Sequence, residues 1–191
     1  MLELPAFRNE IYADFSQPSV KAAMLAAQDE VRAQFGREYE LLLDGVRVRT
    51  GKLLHSSNPS NPDEIVGSHH NADPGLASKA VEDSYAYFEE WSRTPAQGRV
   101  GMVLRVAAIL RARKFEFNAW LVFEAGKTWP EAEAETGEAI DFCEYYARQM
   151  LRYLPADSSV QMPGEKGEQL SAARRRGSNS PGILPLAFSA E

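Results

Sequence analysis

Residues 123–148 read FEAGKTWPEAEAETGEAIDFCEYYAR and include the triplet Gly126-Lys127-Thr128, which also occurs in phosphate-binding loops. Such a loop needs a second glycine five residues before Gly126, but Leu121 occupies that position. Apolar residues at helical spacing precede the triplet, whereas a phosphate loop follows a strand. We interpret Gly126 as the left-handed residue that ends one helix, and residues 128–131 as a capping box that begins the next. The sequence therefore predicts a corner between two helices.

The helix after this corner begins with acidic residues and continues with an apolar stripe. The helix dipole favours negative charge in the first turns, which hold Glu131, Glu133, Glu135 and Glu138. The stripe comprises Ile140, Cys143, Ala147, Met150, Leu151 and Leu154, and Pro155 ends it. Cys143 lies on the apolar stripe and has no histidine nearby in sequence, so we interpret it as a packing residue and not as a nucleophile.

The region before the corner mixes a β-hairpin with helices. Asp44-Gly45 between two apolar triplets is a strong signal for a type I′ hairpin turn. A short amphipathic helix stops at Gly36, and a further helical region, broken near Arg113, covers residues 99–125. Asp73 is predicted to cap a helix whose buried side comprises Ala77, Ala80, Val81, Ser84, Phe88 and Trp91. We expect His69 and His70 to lie on the surface, with no metal site.

Composition limits the class of protein. The chain has 191 residues, 44% of them hydrophobic and 25% charged, which is typical of one soluble globular domain. The net charge of −6 and the lack of a basic stripe before residue 174 argue against binding to nucleic acid. One cysteine excludes an internal disulfide, and no apolar run is long enough to cross a membrane. We therefore expect a cytoplasmic protein.

Several segments in order closely resemble the N-terminal third of bacterial 1-pyrroline-5-carboxylate dehydrogenases, which are NAD-dependent aldehyde dehydrogenases also called L-glutamate γ-semialdehyde dehydrogenases. The resemblance covers nearly all of residues 7–169, in the same order and spacing. Its segments are FRNE, GREYELLLDGVRVRT, SNPSNPDEIVG, AYFEEWSRTP, RVAAILRARKFEFNAWLVFEAGKTWPEA and EAIDFCEYYARQMLRY. The family resemblance implies an α/β fold, of which this chain would hold the helix-rich N-terminal part with its hairpin and an incomplete doubly wound NAD-binding domain.

The resemblance also implies chemistry and partners. In this family a cysteine attacks the aldehyde of glutamate semialdehyde, hydride passes to NAD, and full-length members are homo-oligomers. The nucleophilic cysteine, the general-base glutamate and the cofactor turn all lie C-terminal to the matched region, so we expect this chain alone to be inactive. One site residue carries over, because the glutamate of the EAID motif, here Glu138, meets the substrate's ammonium group in the family.

The resemblance divides the chain into three parts. Residues 1–38 are an N-terminal arm, and residues 39–169 are the N-terminal segment of the NAD-binding domain. Residues 170–191 depart from the family, with three consecutive arginines and no helical or strand period. Composition alone favours a flexible tail for them. We also hypothesise that residues 171–184 are a frameshifted version of the family sequence, which reading the coding DNA in all frames would test.

Two classes of function follow from these observations. The first is an N-terminal fragment of the dehydrogenase that oxidises glutamate semialdehyde to glutamate in proline degradation. The second is a non-enzymatic binding or assembly module derived from the same fold.

Overall fold

The computed structural model describes residues 4–152, 159–161 and 169–171. The helices are α1 (Pro18–Arg32), α2 (Pro74–Arg93), α3 (Ala96–Ala112), α4 (Lys114–Ala125) and α5 (Trp129–Arg152). The strands are β1 (Arg37–Tyr39), β2 (Leu41–Leu43), β3 (Val46–Val48), β4 (Leu53–Asn58), β5 (Asn61–His70), β6 (Ser159–Gln161) and β7 (Gln169–Ser171). The predicted helix-rich α/β class is confirmed. Two predictions concern residues outside those described. They are the helix stop at Leu154 and Pro155 and most of the aberrant tail, residues 172–191.

The strands form small sheets beside the helices. β4 and β5 are antiparallel, and β1 adds to the other side of β5 in parallel, in the order β1-β5-β4. β2 and β3 form the predicted hairpin, with Asp44 at φ 48° and Gly45 at φ 74°, as a type I′ turn requires. β6 pairs with β7 in antiparallel orientation. Sequence analysis missed β1, because a three-residue strand carries too little pattern to be recognised.

The predicted corner between α4 and α5 is confirmed. Gly126 adopts the left-handed conformation at φ 66°, and its N–H donates to the carbonyl of Val122. The carboxylate of Glu131 accepts from the N–H of Thr128 at 2.9 Å and from its hydroxyl at 2.8 Å. These two hydrogen bonds hold the pKa of Glu131 below its usual value. Lys127 pairs with Glu135, so the cationic and hydroxyl groups that a phosphate would need are already bonded within the corner.

Two clusters of buried side chains hold the helices together. The first joins α1, β5 and α4 through Met24, Ala27, Val31, Val66, Ala119 and Phe123. The second joins α3 to α5 through Ala107, Leu110 and Ile140. Phe117 of α4 packs against the second cluster, so α4 contributes to both clusters. The predicted amphipathic helix before Gly36 is confirmed as α1, with Met24, Ala27 and Val31 buried, although it ends at Arg32, four residues before Gly36.

The predictions for α2 and α3 had mixed outcomes. Asp73 caps α2 as predicted, accepting from the N–H of Leu76 at 2.8 Å, and the helical region breaks at Arg113 between α3 and α4. The predicted buried side of α2 was wrong, since no residue of this helix is buried and Phe88 is 51% exposed. Helical spacing shows which side chains share a face, but it does not show whether another element covers that face.

The surface assignment of the histidines was wrong for His70. Its side chain is buried, with Nδ1 accepting from the N–H of Thr50 at 2.9 Å and Nε2 lying 2.8 Å from the carboxylate of Glu38. His69 points to the other face and stacks on Tyr39. Within the described residues no three His, Cys, Asp or Glu side chains could together hold a metal ion. In the same part of the chain, no helix is long and apolar enough to cross a membrane.

The corner generates a stability prediction for two left-handed glycines. We expect Gly36→Ala and Gly126→Ala each to lower the free energy of unfolding by about 1–2 kcal/mol, because alanine is strained at positive φ. The loss should be larger at Gly126, where an added Cβ would lie 3.0 Å from Cγ of Pro59, whereas nothing lies within 4 Å at Gly36. Urea unfolding followed by circular dichroism measures both. Equal losses would contradict close packing of the corner against Pro59.

Candidate substrate-binding site

Residues 5–13 of the N-terminal arm lie antiparallel along α5 and form one side of the candidate site. Asp141 accepts from the side chain of Asn9 at 2.8 Å and from the backbone N–H of Glu10 at 2.7 Å. Further along the helix, Nε of Arg148 donates to the carbonyl of Pro5 at 2.9 Å. The hydrogen bonds to backbone groups fix the arm's position along the helix.

A buried carboxylate anchors the other end of the arm. Glu133 is 2% exposed, and its Oε1 accepts from the N–H of Ala13 at 2.7 Å and from Nζ of Lys114 at 2.6 Å. Its Oε2 accepts from the side-chain amide of Asn118 at 2.7 Å. Nζ of Lys114 also donates to the carbonyl of Ile11 at 2.9 Å. Both members of this ion pair, Lys114 of α4 and Glu133 of α5, therefore also form a hydrogen bond to the backbone of the arm.

Sequence analysis placed Glu133 among the acids favoured by the helix dipole in the first turns of α5 and did not identify its buried role. A signal was available, because Glu133 lies seven residues before Ile140 and so falls on the same helical face as the apolar stripe. A carboxylate on a buried face needs charged or hydrogen-bonding partners. The identity of those partners, which lie 15 to 120 residues away, could not be read from local sequence.

Glu138, the predicted substrate residue, lies at an open depression between the arm and α5. The depression has a volume of about 420 Å³ and is lined by Phe7, Asn9, Tyr12, Asp141, Tyr145 and Tyr146 among others. Gly137 allows the arm to come close, since a Cβ there would lie 2.7 Å from the ring of Tyr12. The arm thus supplies one wall of the surface beside Glu138.

The charges around the depression leave Glu138 free. Glu135 is paired with Lys127, and both carboxylate oxygens of Asp141 accept hydrogen bonds from the arm. Among the interactions of the described residues, Glu138 takes part in no hydrogen bond or ion pair, and its side chain is exposed. An exposed carboxylate next to several aromatic rings can accept a charge-assisted hydrogen bond from an organic cation.

Cys143 lies in apolar surroundings, as the sequence predicted. Its half-buried side chain packs against the second core cluster of Ala107, Leu110 and Ile140. Burial raises the pKa of the Cys143 thiol, and the negative charge of Glu144 raises it further. Because the thiolate is the nucleophilic form, this environment makes Cys143 a poor nucleophile.

The fold and the sequence define the class of protein. The family model for aldehyde dehydrogenases matches residues 47–176, and the chain belongs to this family. The chain is 45% identical over 159 residues to a 1-pyrroline-5-carboxylate dehydrogenase of Geobacillus thermodenitrificans, covering 83% of this chain and 31% of the relative. The corresponding Bacillus subtilis protein is 41% identical over 146 residues, covering 76% of this chain and 28% of the relative. The chain thus spans less than a third of the length of these relatives.

Solved structures agree with the sequence comparison. The 1-pyrroline-5-carboxylate dehydrogenase from Thermus with bound NAD has a TM-score of 0.79 and 42% identity, covering 85% of this chain and 32% of that chain. A proline utilization A protein from Bdellovibrio bacteriovorus has a TM-score of 0.76 and 32% identity, covering 80% of this chain and 16% of that chain. The expected fold, the N-terminal part of the aldehyde dehydrogenase fold, is confirmed.

The environment of Cys143 predicts slow chemistry at its thiol. At pH 8 we expect a chromogenic disulfide reagent to modify the folded chain about tenfold or more slowly than the urea-unfolded chain, because burial shields the thiol and the raised pKa reduces the thiolate fraction. Absorbance of the released thiolate gives both rates, and Cys143→Ser gives the background.

The raised pKa of the Cys143 thiol also makes the free energy of unfolding depend on pH. The thiol binds its proton more tightly in the folded chain than in the unfolded chain. Its contribution to the free energy of unfolding is therefore fully present below the pKa of the unfolded thiol, and it is lost as the pH rises through the pKa of the folded thiol. In the thiol experiment, modification of Cys143 by the disulfide reagent at the same rate in the folded and unfolded chains would contradict the packing of Cys143 against the second core cluster.

Proposed function

We propose that this chain provides the N-terminal part of an NAD-dependent dehydrogenase that oxidises L-glutamate 5-semialdehyde to L-glutamate in proline degradation. Within it, residues 39–169 are the first segment of the NAD-binding domain and residues 1–38 are the arm that lies against it. The observation that carries the proposal is the free, exposed carboxylate of Glu138 beside the aromatic depression. The names and the 40–45% identities of the curated relatives support the same reaction.

Glu138 is suited to select an amino-acid aldehyde. The substrate carries an ammonium group, and a carboxylate without another partner can pair with it once the remainder of an active site excludes water. A simple aliphatic aldehyde has no group to make this contact, so the carboxylate would lose hydration without a new partner. The aromatic side chains of the arm and α5 add surfaces that favour a cation.

The Gly-Lys-Thr corner does not fit the phosphates of the NAD cofactor. Dinucleotide sites use a glycine-rich turn whose backbone N–H groups face the phosphates. In the Gly-Lys-Thr corner, Lys127 forms an ion pair with Glu135, and the N–H of Thr128 donates to the carboxylate of Glu131. When bound, NAD accepts the hydride of the reaction. We assign to this chain only substrate contact and the support of that contact.

The nucleophile is proposed to come from the C-terminal part of the fold, since Cys143 packs into the core. A polypeptide of these 191 residues is therefore expected to form no NADH from glutamate semialdehyde. Without an activated thiolate no covalent intermediate forms, which removes the main route to catalysis.

The role of Glu138 is tested in an enzyme completed by joining residues 1–169 to the C-terminal part of the Geobacillus thermodenitrificans relative. We expect Glu138→Ala to lower kcat/KM for glutamate semialdehyde about thirty- to a thousandfold, mainly through KM. This corresponds to about 2–4 kcal/mol for one partner of a desolvated charged hydrogen bond. Short aliphatic aldehydes should react almost as before. Steady-state NADH formation with both substrates gives the comparison.

Glu135→Ala is the matched control, because Glu135 lines the same depression on the same helix but is already paired with Lys127. It should change the two substrates to the same small extent. Equal losses for both aldehydes in Glu138→Ala would instead mark Glu138 as a residue of the helix start without a role in substrate selection.

A further inference from the structure

A second depression borders the arm and shares no lining residue with the depression beside Glu138. It has a volume of about 370 Å³ and is lined by Pro5, Ala6, Arg8, Arg111, Glu144 and Arg148. We name it the arginine depression. The arm contributes Ala6 and Arg8 to this depression, and Phe7 and Asn9 to the one beside Glu138. The same stretch of the arm therefore borders both depressions with alternate side chains.

Two of the three guanidinium groups in the arginine depression are held in place by hydrogen bonds. Nε of Arg111 donates to Glu10 at 2.9 Å, and its Nη2 donates to Glu144 at 3.1 Å. Nε of Arg148 donates to the carbonyl of Pro5 at 2.9 Å, and its Nη1 donates to the carboxylate of Glu144 at 2.6 Å. Among the described residues, Nη1 of Arg111 and Nη2 of Arg148 form no hydrogen bond. Both guanidinium groups can therefore bind a further acceptor while these bonds stay in place.

Arg8 adds a third guanidinium group, which has no partner. Within the described part of the chain Arg8 forms no hydrogen bond or ion pair, and its side chain is exposed. The ion-pair network beside it is balanced between cations and carboxylates, which are Arg111, Arg148, Lys114, Glu10, Glu133 and Glu144. Arg8 therefore gives the arginine depression one uncompensated positive charge, and an anion is the class of ligand that this charge attracts.

The arrangement of the donors favours a phosphate group over a carboxylate. Guanidinium groups bind the oxygens of both anions. A carboxylate, that of Glu144, already lies between Arg111 and Arg148. A phosphate monoester carries three strong acceptor oxygens, so it can contact Arg8 and the remaining donors of the other two arginines together. The volume of the depression falls in the range of small-molecule sites, roughly 300–1,000 Å³.

We propose that the arginine depression binds the phosphate group of a small molecule, and that this ligand fastens the arm to α3 and α5. Arg8 belongs to the arm, Arg111 to α3 and Arg148 to α5, so a ligand bound by all three arginines joins three elements of the fold. It thereby stabilises the wall of the depression beside Glu138. The inference goes beyond the dehydrogenase reaction and does not require it, because the two depressions share no residue.

The binding test titrates the 191-residue chain with inorganic phosphate and with glycerol phosphate, at an ionic strength kept constant with sodium chloride. Calorimetry gives the Kd, and NMR of the arginine Nε–H signals identifies the groups that bind. We expect saturable binding of both ligands. Arg8→Ala should raise each Kd about tenfold or more, because it removes the uncompensated charge. Arg8→Lys should raise it less, because lysine keeps the charge and loses only the planar fork.

Arg105→Ala is the matched control for Arg8→Ala. Arg105 is exposed and, within the described residues, also forms no hydrogen bond or ion pair, but it does not line the depression. Its substitution should change the Kd less than about twofold, because a distant charge is screened by salt. Equal effects of the two alanine variants would overturn the proposal, and so would binding that does not saturate. Tighter binding of succinate than of glycerol phosphate would overturn the phosphate assignment, and binding of inorganic phosphate alone would overturn the small-molecule assignment.

The fastening of the arm has a separate measurement. The backbone N–H of Glu10 donates to Asp141 at 2.7 Å, so its hydrogen exchange reports on detachment of the arm from α5. At a ligand concentration of about one hundred times the Kd, binding that requires the attached arm slows this exchange by up to about a hundredfold. Arg8→Ala should abolish the slowing. Exchange of the Glu10 amide that a saturating ligand leaves unchanged would contradict the fastening.

The same titration in the enzyme completed with the C-terminal part of the Geobacillus thermodenitrificans relative tests the site within the whole fold. Glycerol phosphate should bind there with a similar Kd. Loss of binding would overturn the proposal, because another part of the fold would then occupy the depression. NADH formation from glutamate semialdehyde in these samples tests the proposed function independently. Phosphate binding without NADH supports the site and contradicts the dehydrogenase assignment, whereas NADH without phosphate binding has the opposite meaning.

Discussion

The buried ion pair between Lys114 and Glu133 is the contact on which the arm, the packing of α4 against α5 and the candidate site all depend. Removing a carboxylate and an ammonium group from water is costly, and their attraction compensates only when further donors satisfy the remaining lone pairs. Here the amide of Asn118 and the backbone N–H of Ala13 supply those donors. One of the donors belongs to the arm, so satisfying the buried carboxylate requires the arm to be in place.

The outer contacts of the arm have a different physical character. Arg111 pairs with Glu10 and Glu144, and Arg148 pairs with Glu144, all at least partly in water. Such pairs contribute little stability individually, about 0–1 kcal/mol each. They refine the path of the arm along α5, whereas the buried pair determines that the arm binds there. The wall that Tyr12 forms beside Glu138 therefore depends on a charge pair one helical turn away.

Local rules allowed much of the fold to be predicted. Gly126, the Asp44-Gly45 turn and the Asp73 cap act within a few residues of chain, and their chemistry specifies one backbone geometry. The buried roles of Glu133 and His70 were missed because their partners are distant in sequence. The exposure of α2 was missed for a related reason. Helical spacing shows which side chains share a face, but not whether another element packs against that face. Glu138 came from the family resemblance, since an acid near a helix start is by itself an ordinary residue.

The most direct test of the central role of the buried pair is hydrogen exchange at the backbone amide of Ala13 in the 191-residue chain. If the arm is held by Glu133, this amide should exchange far more slowly than in a free peptide and should respond to denaturant together with the amide of Ile140 in α5. Exchange of Ala13 at the free-peptide rate while Ile140 remains protected would contradict the account, because the arm would then be unbound and the depression beside Glu138 would lack its wall.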